Sequence, residues 1–143
     1  YAASDHLCYR AESPRALVER QEREWGAVLD WAKAEHGLIL TPVAGIIHTP
    51  QPPDTLAAVE ALALTLDDFA LAGVAFAAGL FGSAVLALAV RAGRLNGQHA
   101  LDLSRLDEIH QAEQWGEDAE AKARAEALGV EAEMIERWFA ALR

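Results

Sequence analysis

An uncharged apolar run of twenty-two residues, Phe69 to Val90, constrains this chain more than any other feature. About 20 apolar residues suffice for a helix to cross a bilayer. A helix that is apolar on every side is either a membrane span or the buried centre of a bundle. Eight residues of the run are alanine and three are glycine, whereas insertion is driven mainly by Leu, Ile, Phe and Val. Amphipathic segments surround the run and need an apolar partner, so the sequence favours a buried core.

Small residues divide this run near its centre. Gly79, Gly82 and Ser83 predict a kink or a break there, because glycine weakens a helix interior. We therefore expect two shorter helices within the run.

Charge and cysteine content exclude several classes of protein. The 143 residues fit one domain, and 52% are hydrophobic, enough for a packed core. A formal net charge of −10 disfavours binding to nucleic acid or to an anionic membrane surface. Cys8 is the single cysteine, so no internal disulfide and no cysteine-based metal site is expected. Because the chain begins at Tyr1 within polar sequence, we expect it to be part of a longer protein.

The remaining pattern predicts a mainly α protein, with six or seven short helices around the central apolar stretch. Residues 38–48 contain at most one short extended segment or a loose hairpin. Tyr1 to Glu12 is interpreted as an irregular connection. Helix starts are predicted at Ser13-Pro14, Asp54, Thr65-x-x-Asp68 and Ser104-x-x-Asp107, and helix ends or interruptions at Gly37, Gly116 and Gly129.

Catalytic and metal-binding patterns are nearly absent. No nucleophile elbow, phosphate-binding glycine loop or H-E-x-x-H motif occurs. Cys8 with a distant histidine could form a nucleophilic pair, but an ordinary thiol is the preferred interpretation. Asp107, His110 and Glu113 have metal-ligand spacing on one helix, yet no second motif exists for a facing helix. A solvated polar face is the preferred interpretation.

Ser104 to Glu117 is the most distinctive segment, and two interpretations of it remain open. In the first, its polar and aromatic residues form a protein-recognition surface, because aromatic anchors dominate interface hot spots. In the second, Asp107 only caps the helix and Trp115 only covers the edge of the core. The candidate protein-binding residues are Asp107, Glu108, Gln111, Gln114 and Trp115.

Three blocks of sequence carry a resemblance to a known family. They are LCYRAESPRALVERQEREWGAVLDWA from Leu7, GIIHTPQPP from Gly45 and LSRLDEIHQAEQWGEDAEA from Leu103. In this order and spacing they resemble the ATP synthase assembly chaperone of mitochondria and related bacteria. The resemblance spans residues 5 to about 142.

The resemblance implies a fold, a function and a site. Family members carry an N-terminal β-rich domain followed by an orthogonal helical bundle, so residues 1–143 would be the single C-terminal helical domain. The implied activity is not catalysis and needs no cofactor or metal. The family binds the newly made α subunit of the soluble catalytic head, shields its β-facing surface and prevents its aggregation. The important acidic residue of the family motif corresponds to Asp107, with Glu108 beside it, and Gln111, Gln114, Trp115 and Gly116 also match.

The implied location is the cytoplasm of a bacterium or the mitochondrial matrix of a eukaryote, without stable membrane insertion; the oligomeric state is left open. Two alternative functions remain at this point. One is a membrane-inserted helical hairpin built on Phe69–Val90, and the other is a metal-dependent helical enzyme.

Overall fold

The computed structural model describes all 143 residues and is built almost entirely of helices. Two short 3₁₀ turns, Ala2–Ser4 and His6–Cys8, begin the chain. The helices are α1 (Arg15–His36), α2 (Pro53–Leu64), α3 (Asp68–Phe81), α4 (Ala84–Arg91), α5 (Gly97–Ser104), α6 (Leu106–Trp115) and α7 (Ala119–Ala141). The predicted mainly α fold is confirmed, although α1 and α7, with 22 and 23 residues, are not short.

A two-stranded parallel sheet joins distant parts of the chain. Strand β1 (Tyr9–Arg10) pairs with strand β2 (Val43–Ala44), and Tyr9 lies opposite Val43. β2 lies within the predicted extended segment at 38–48. The alternative of a local hairpin is wrong, because the partner strand comes from before α1.

The apolar run is broken where the small residues predicted it. Gly82 ends α3 with a left-handed φ of 64°, a conformation that glycine adopts without steric cost. The Ser83 hydroxyl then accepts a hydrogen bond from the Leu86 N–H at 3.0 Å and caps α4. The run therefore forms helices of 14 and 8 residues. No helix in the structure combines the length and the apolar character that crossing a bilayer requires.

The second half of the run, α4, is the centre of the fold. Six consecutive residues, Val85 to Val90, are all buried. This requires neighbours on every side of the helix, and α1, α3, α5 and α7 all pack against it. The expectation of a buried apolar helix therefore holds in full for α4.

The first half of the run, α3, is only partly buried. Gly73 and Ala77 face the core, whereas Phe69, Leu71 and Phe76 are exposed. The expectation that the whole run is enclosed is therefore wrong for α3. Its inner side carries small residues together with Phe81, and Gly73 allows a close approach to Trp138 and Phe139 of α7.

The segment before α1 is packed into the core rather than being an irregular connection. Asp5, Leu7 and Cys8 are buried. The Asp5 carboxylate accepts one hydrogen bond from the Leu7 N–H and one from the Val85 N–H, each at 3.1 Å. Burial raises the pKa of Asp5, although these hydrogen bonds oppose the shift. This side chain ties the N-terminal segment to the start of α4.

Several predicted helix caps are wrong. α1 begins after Pro14 and α2 begins after Pro52, neither with a side-chain cap, so Ser13 and Asp54 do not fill this role. The cap of α3 is Asp67, whose carboxylate accepts a hydrogen bond from the Ala70 N–H at 2.8 Å. A cap requires extended backbone angles at one position, and adjacent polar residues fit the same sequence pattern.

The predicted helix ends have mixed outcomes. α1 ends at Gly37 and α6 ends at Gly116, as predicted, and both glycines have positive φ. α7 continues without a break through Gly129, so the predicted interruption is wrong. A single glycine costs a helix about 1 kcal/mol, which packing readily offsets.

Candidate protein-binding site

α6 carries all five candidate binding residues and lies beside α1. The indole N–H of Trp25 donates a hydrogen bond at 2.7 Å to the carbonyl oxygen of Leu103, in the last turn of α5. The Arg20 guanidinium forms an ion pair with Glu113 at 3.2 Å. The inner side of α6 is marked by its buried residues Leu106 and His110, so the opposite side is turned outward.

Asp107 is held in place by a buried glutamine. The Gln21 side chain, which is fully buried, donates a hydrogen bond from Nε2 to Oδ1 of Asp107 at 2.6 Å. Its own Oε1 accepts a hydrogen bond from the Ala11 N–H at 2.8 Å. The other carboxylate oxygen of Asp107 has no hydrogen-bond or ion-pair partner. Asp107 is thus oriented by the fold while one oxygen stays free to accept a ligand.

The interpretation that Asp107 only caps α6 is wrong. The helix begins after Arg105, which has no side-chain cap, and the Ser104 hydroxyl donates to the Leu101 carbonyl oxygen at 2.6 Å. Asp107 still lies in the first turn of α6, where a negative charge interacts favourably with the helix dipole. Its structural partner is nevertheless α1, through Gln21.

The other four candidate residues are exposed. The Trp115 side chain is 83% exposed, so it does not cover the edge of the core as the second interpretation required. Glu108, Gln111 and Gln114 are also exposed. A solvent-exposed indole at a helix end, as at Trp115, is typical of a side chain that anchors a protein partner.

The structure does not bring the five candidate residues into one pocket. Asp107 lines a cleft of about 740 Å³ beside the N-terminal segment. Glu108 and Gln111 line a separate groove of about 470 Å³ between α6 and α7, together with Arg105 and Arg124. The candidate site is therefore a ridge, formed by α6, with a depression on each side.

The three residues with metal-ligand spacing do not share a partner, and the preferred interpretation of a solvated polar face is wrong for His110. Asp107 accepts from Gln21, Glu113 is paired with Arg20, and His110 is buried. No group of three or more histidine, cysteine or acidic side chains converges anywhere in the structure.

Cys8 lies in the core, close to Asp5. Burial raises the pKa of its thiol to about 12, from an ordinary value of 9.0, and the nearby Asp5 carboxyl adds to the shift. The thiol is therefore protonated at neutral pH, whereas the thiolate is the reactive form. The arrangement is that of an inert buried thiol.

We expect Cys8→Ser to retain partner binding in the full-length protein. We also expect the native thiol to resist alkylation at pH 8, measured by mass spectrometry, until denaturant is added. Because the folded pKa lies above the unfolded one, the contribution of Cys8 to stability is complete below pH 9 and is lost as the pH rises toward 12. Rapid alkylation of the folded protein at neutral pH would contradict this.

Sequence reasoning missed two features of the site. Gln21 lies in the apolar stripe of α1, and a polar side chain in such a stripe must find a partner, which is the signal that could have revealed it. The second feature is the loop at Ile46 and Ile47, whose side chains are exposed. Its sequence contributes to the family resemblance but had no role assigned to it.

The fold and the outward side of α6 define a helical domain with a candidate protein-binding surface. No protein-family model matches the chain. A single-residue variant of Atp12 from Paracoccus denitrificans matches with a TM-score of 0.95 and 38% identity, over 100% of this chain and 61% of that one. Atp12 from the same organism matches with a TM-score of 0.93 and 39% identity, over 99% of this chain and 60% of that one.

A candidate chaperone from Agrobacterium tumefaciens, Atu1473, matches with a TM-score of 0.91 and 39% identity, over 99% of this chain and 53% of that one. The resemblance found in the sequence is confirmed: over its whole length the chain is related in sequence and fold to Atp12, the ATP synthase assembly chaperone. It spans between 53% and 61% of the lengths of these proteins.

Proposed function

We propose that the protein is an assembly chaperone that binds the newly made α subunit of ATP synthase and prevents its aggregation before assembly with β. The observation that carries this proposal is the likeness to Atp12 over 100% of the chain at 38% identity. Identity of this extent over a whole domain supports a shared function as well as a shared fold. The role is one of binding, without catalysis.

The candidate binding surface is α6, on which Glu108, Gln111, Gln114 and Trp115 are exposed and Asp107 lies half-buried at the edge that meets α1. Its geometry supports a protein partner, because an oriented carboxylate and an exposed indole lie on one short helix. Tryptophan is enriched among the residues that contribute most to interface affinity. The acidic character of the domain, with a net charge of −10, favours a basic region of the partner.

Co-purification tests this proposal directly. The full-length protein and the 143-residue chain are each tagged and expressed with newly synthesised α and β subunits. We expect the full-length protein to retain α and to release it when β is supplied, because β would compete for the shielded surface. Recovery of β but not α, or of neither subunit, would contradict the proposal. The 143-residue chain shows whether this domain suffices for capture.

A further inference from the structure

Two adjacent isoleucines at the tip of one loop are exposed to solvent. Ile46 is 95% exposed and Ile47 is 82% exposed. Scattered exposed apolar residues need no explanation, but two β-branched neighbours at a loop tip form an apolar knob. Nothing within the described chain covers it.

The loop that carries this knob is clamped at its base. The Gly45 N–H donates to the Arg10 carbonyl oxygen at 2.8 Å, next to the β1–β2 pair. Gln51, which is buried, accepts from the Thr41 N–H at 2.8 Å and donates to the Thr41 carbonyl oxygen at 3.2 Å. These bonds close the loop across ten residues. A clamped loop loses little conformational entropy on binding, so its apolar tip is preorganised for a partner.

A third contact holds the far side of the knob. The Tyr9 hydroxyl and the Nδ1 atom of His48 form a hydrogen bond at 2.8 Å. Gly45 has a φ of 96°, and a side chain there would meet the Glu12 carboxylate at 2.8 Å. The turn before the isoleucines therefore favours glycine for its backbone angle, whereas the exposed Glu12 side chain could move aside.

One residue of the knob, Ile46, shares a cleft with Asp107. Ile46 and Asp107 line the same cleft of about 740 Å³, although they are 61 positions apart in the sequence. The cleft contains one arginine, Arg10, whose Nε donates to the Leu7 carbonyl oxygen at 2.8 Å, a bond to a neutral group that leaves the guanidinium charge in place. The carboxylates of Asp107 and Glu12 take part in no ion pair. Two carboxylates and one guanidinium thus line the cleft, so its side-chain charge is net negative.

We propose that the Ile46–Ile47 knob and Asp107 form one docking surface for the α subunit, which would supply an apolar recess for the knob and a lysine or arginine for the Asp107 cleft. This inference rests on the proposed function and specifies the chemistry of the partner. An anionic membrane is a poorer occupant, because the cleft and the whole domain are acidic. The unpaired carboxylates and the apolar knob together fit a basic protein surface with an apolar hollow.

The test is a double substitution, Ile46→Ser with Ile47→Ser, in the full-length protein. Both side chains are exposed, so we expect an unchanged melting temperature. We expect affinity for the α subunit, measured by titration of purified α, to fall by about tenfold or more. The matched control is Leu64→Ser, which removes another exposed aliphatic side chain, at the end of α2, and should leave affinity unchanged.

A photo-crosslinking residue at position 46 identifies the occupant. We expect adducts with the α subunit. Adducts only with another part of the same protein, with a second copy, or with lipid in vesicles that contain anionic phospholipid would overturn the inference. If the wild-type protein does not bind the α subunit, both the proposed function and the docking surface are wrong. If the double variant binds α with unchanged affinity, only the docking surface is wrong and the proposed function stands.

Discussion

Asp107→Lys in the full-length protein is expected to abolish capture of the ATP synthase α subunit. The carboxylate is oriented by Gln21 and keeps one oxygen free, so a lysine there replaces attraction to a partner cation with repulsion. The same change leaves the buried Nε2 group of Gln21 without an acceptor. That loss costs about 1–3 kcal/mol of folding stability.

Two companion variants separate lost binding from lost stability. Asp107→Asn retains an oxygen that can accept from Gln21, so it should fold normally and bind α more weakly than wild type but better than Asp107→Lys. Glu126→Lys makes the same charge reversal at an exposed position on α7 and should bind normally. Pull-down of α and the melting temperature are measured on all three. A folded Asp107→Lys protein that captures α at the wild-type level would show that this side of α6 is not the site.

Ala77→Glu in α3 is expected to lower the free energy of unfolding by several kcal/mol. Ala77 is fully buried in the main core, and no cation is available there to pair with a carboxylate. Burying an unpaired charge is among the most destabilising single changes. For a domain of this size we expect the melting temperature to fall by roughly 10 °C or more.

Ala75→Glu is the matched control, on the same helix but on its exposed side. It adds the same charge and the same helix-forming residue, and exposed substitutions of this kind change stability by about 0.5 kcal/mol or less. Thermal unfolding followed by circular dichroism compares the two variants. Equal melting temperatures would contradict the assigned orientation of α3.

Features set by local backbone preference could be predicted from the sequence. The break at Gly82 and Ser83 depends on a residue that accepts positive φ, followed by a hydroxyl that caps the next helix. Gly37 and Gly116 end their helices for a similar reason. The predicted helix caps were wrong where two neighbouring residues fit the same capping pattern, as Asp67 and Asp68 do. A shift of the helix start by one residue hardly changes how well the sequence matches that pattern.

The orientation of α3 could not be predicted. A helix that is apolar all round has no periodic signal to indicate which side is buried. In the structure Gly73, Ala77 and Phe81 face the core, whereas Phe69 and Phe76 face outward. The arrangement of the neighbouring helices determines this orientation, because the side with small residues allows α7 to approach closely.

In the candidate site, too, some features could be predicted from the sequence and others could not. The sequence alone identified α6, its acidic and aromatic residues, and the resemblance to the assembly chaperones. It gave no indication that Asp107 is bound to Gln21, 86 positions away, or that the same cleft includes Ile46. The order of the helices and several of their ends followed from periodicity and from glycine, which act over a few residues, whereas the length of α7 did not. Only the tertiary structure decided which side chains meet, because burial and hydrogen bonding between distant segments depend on how all the helices pack together.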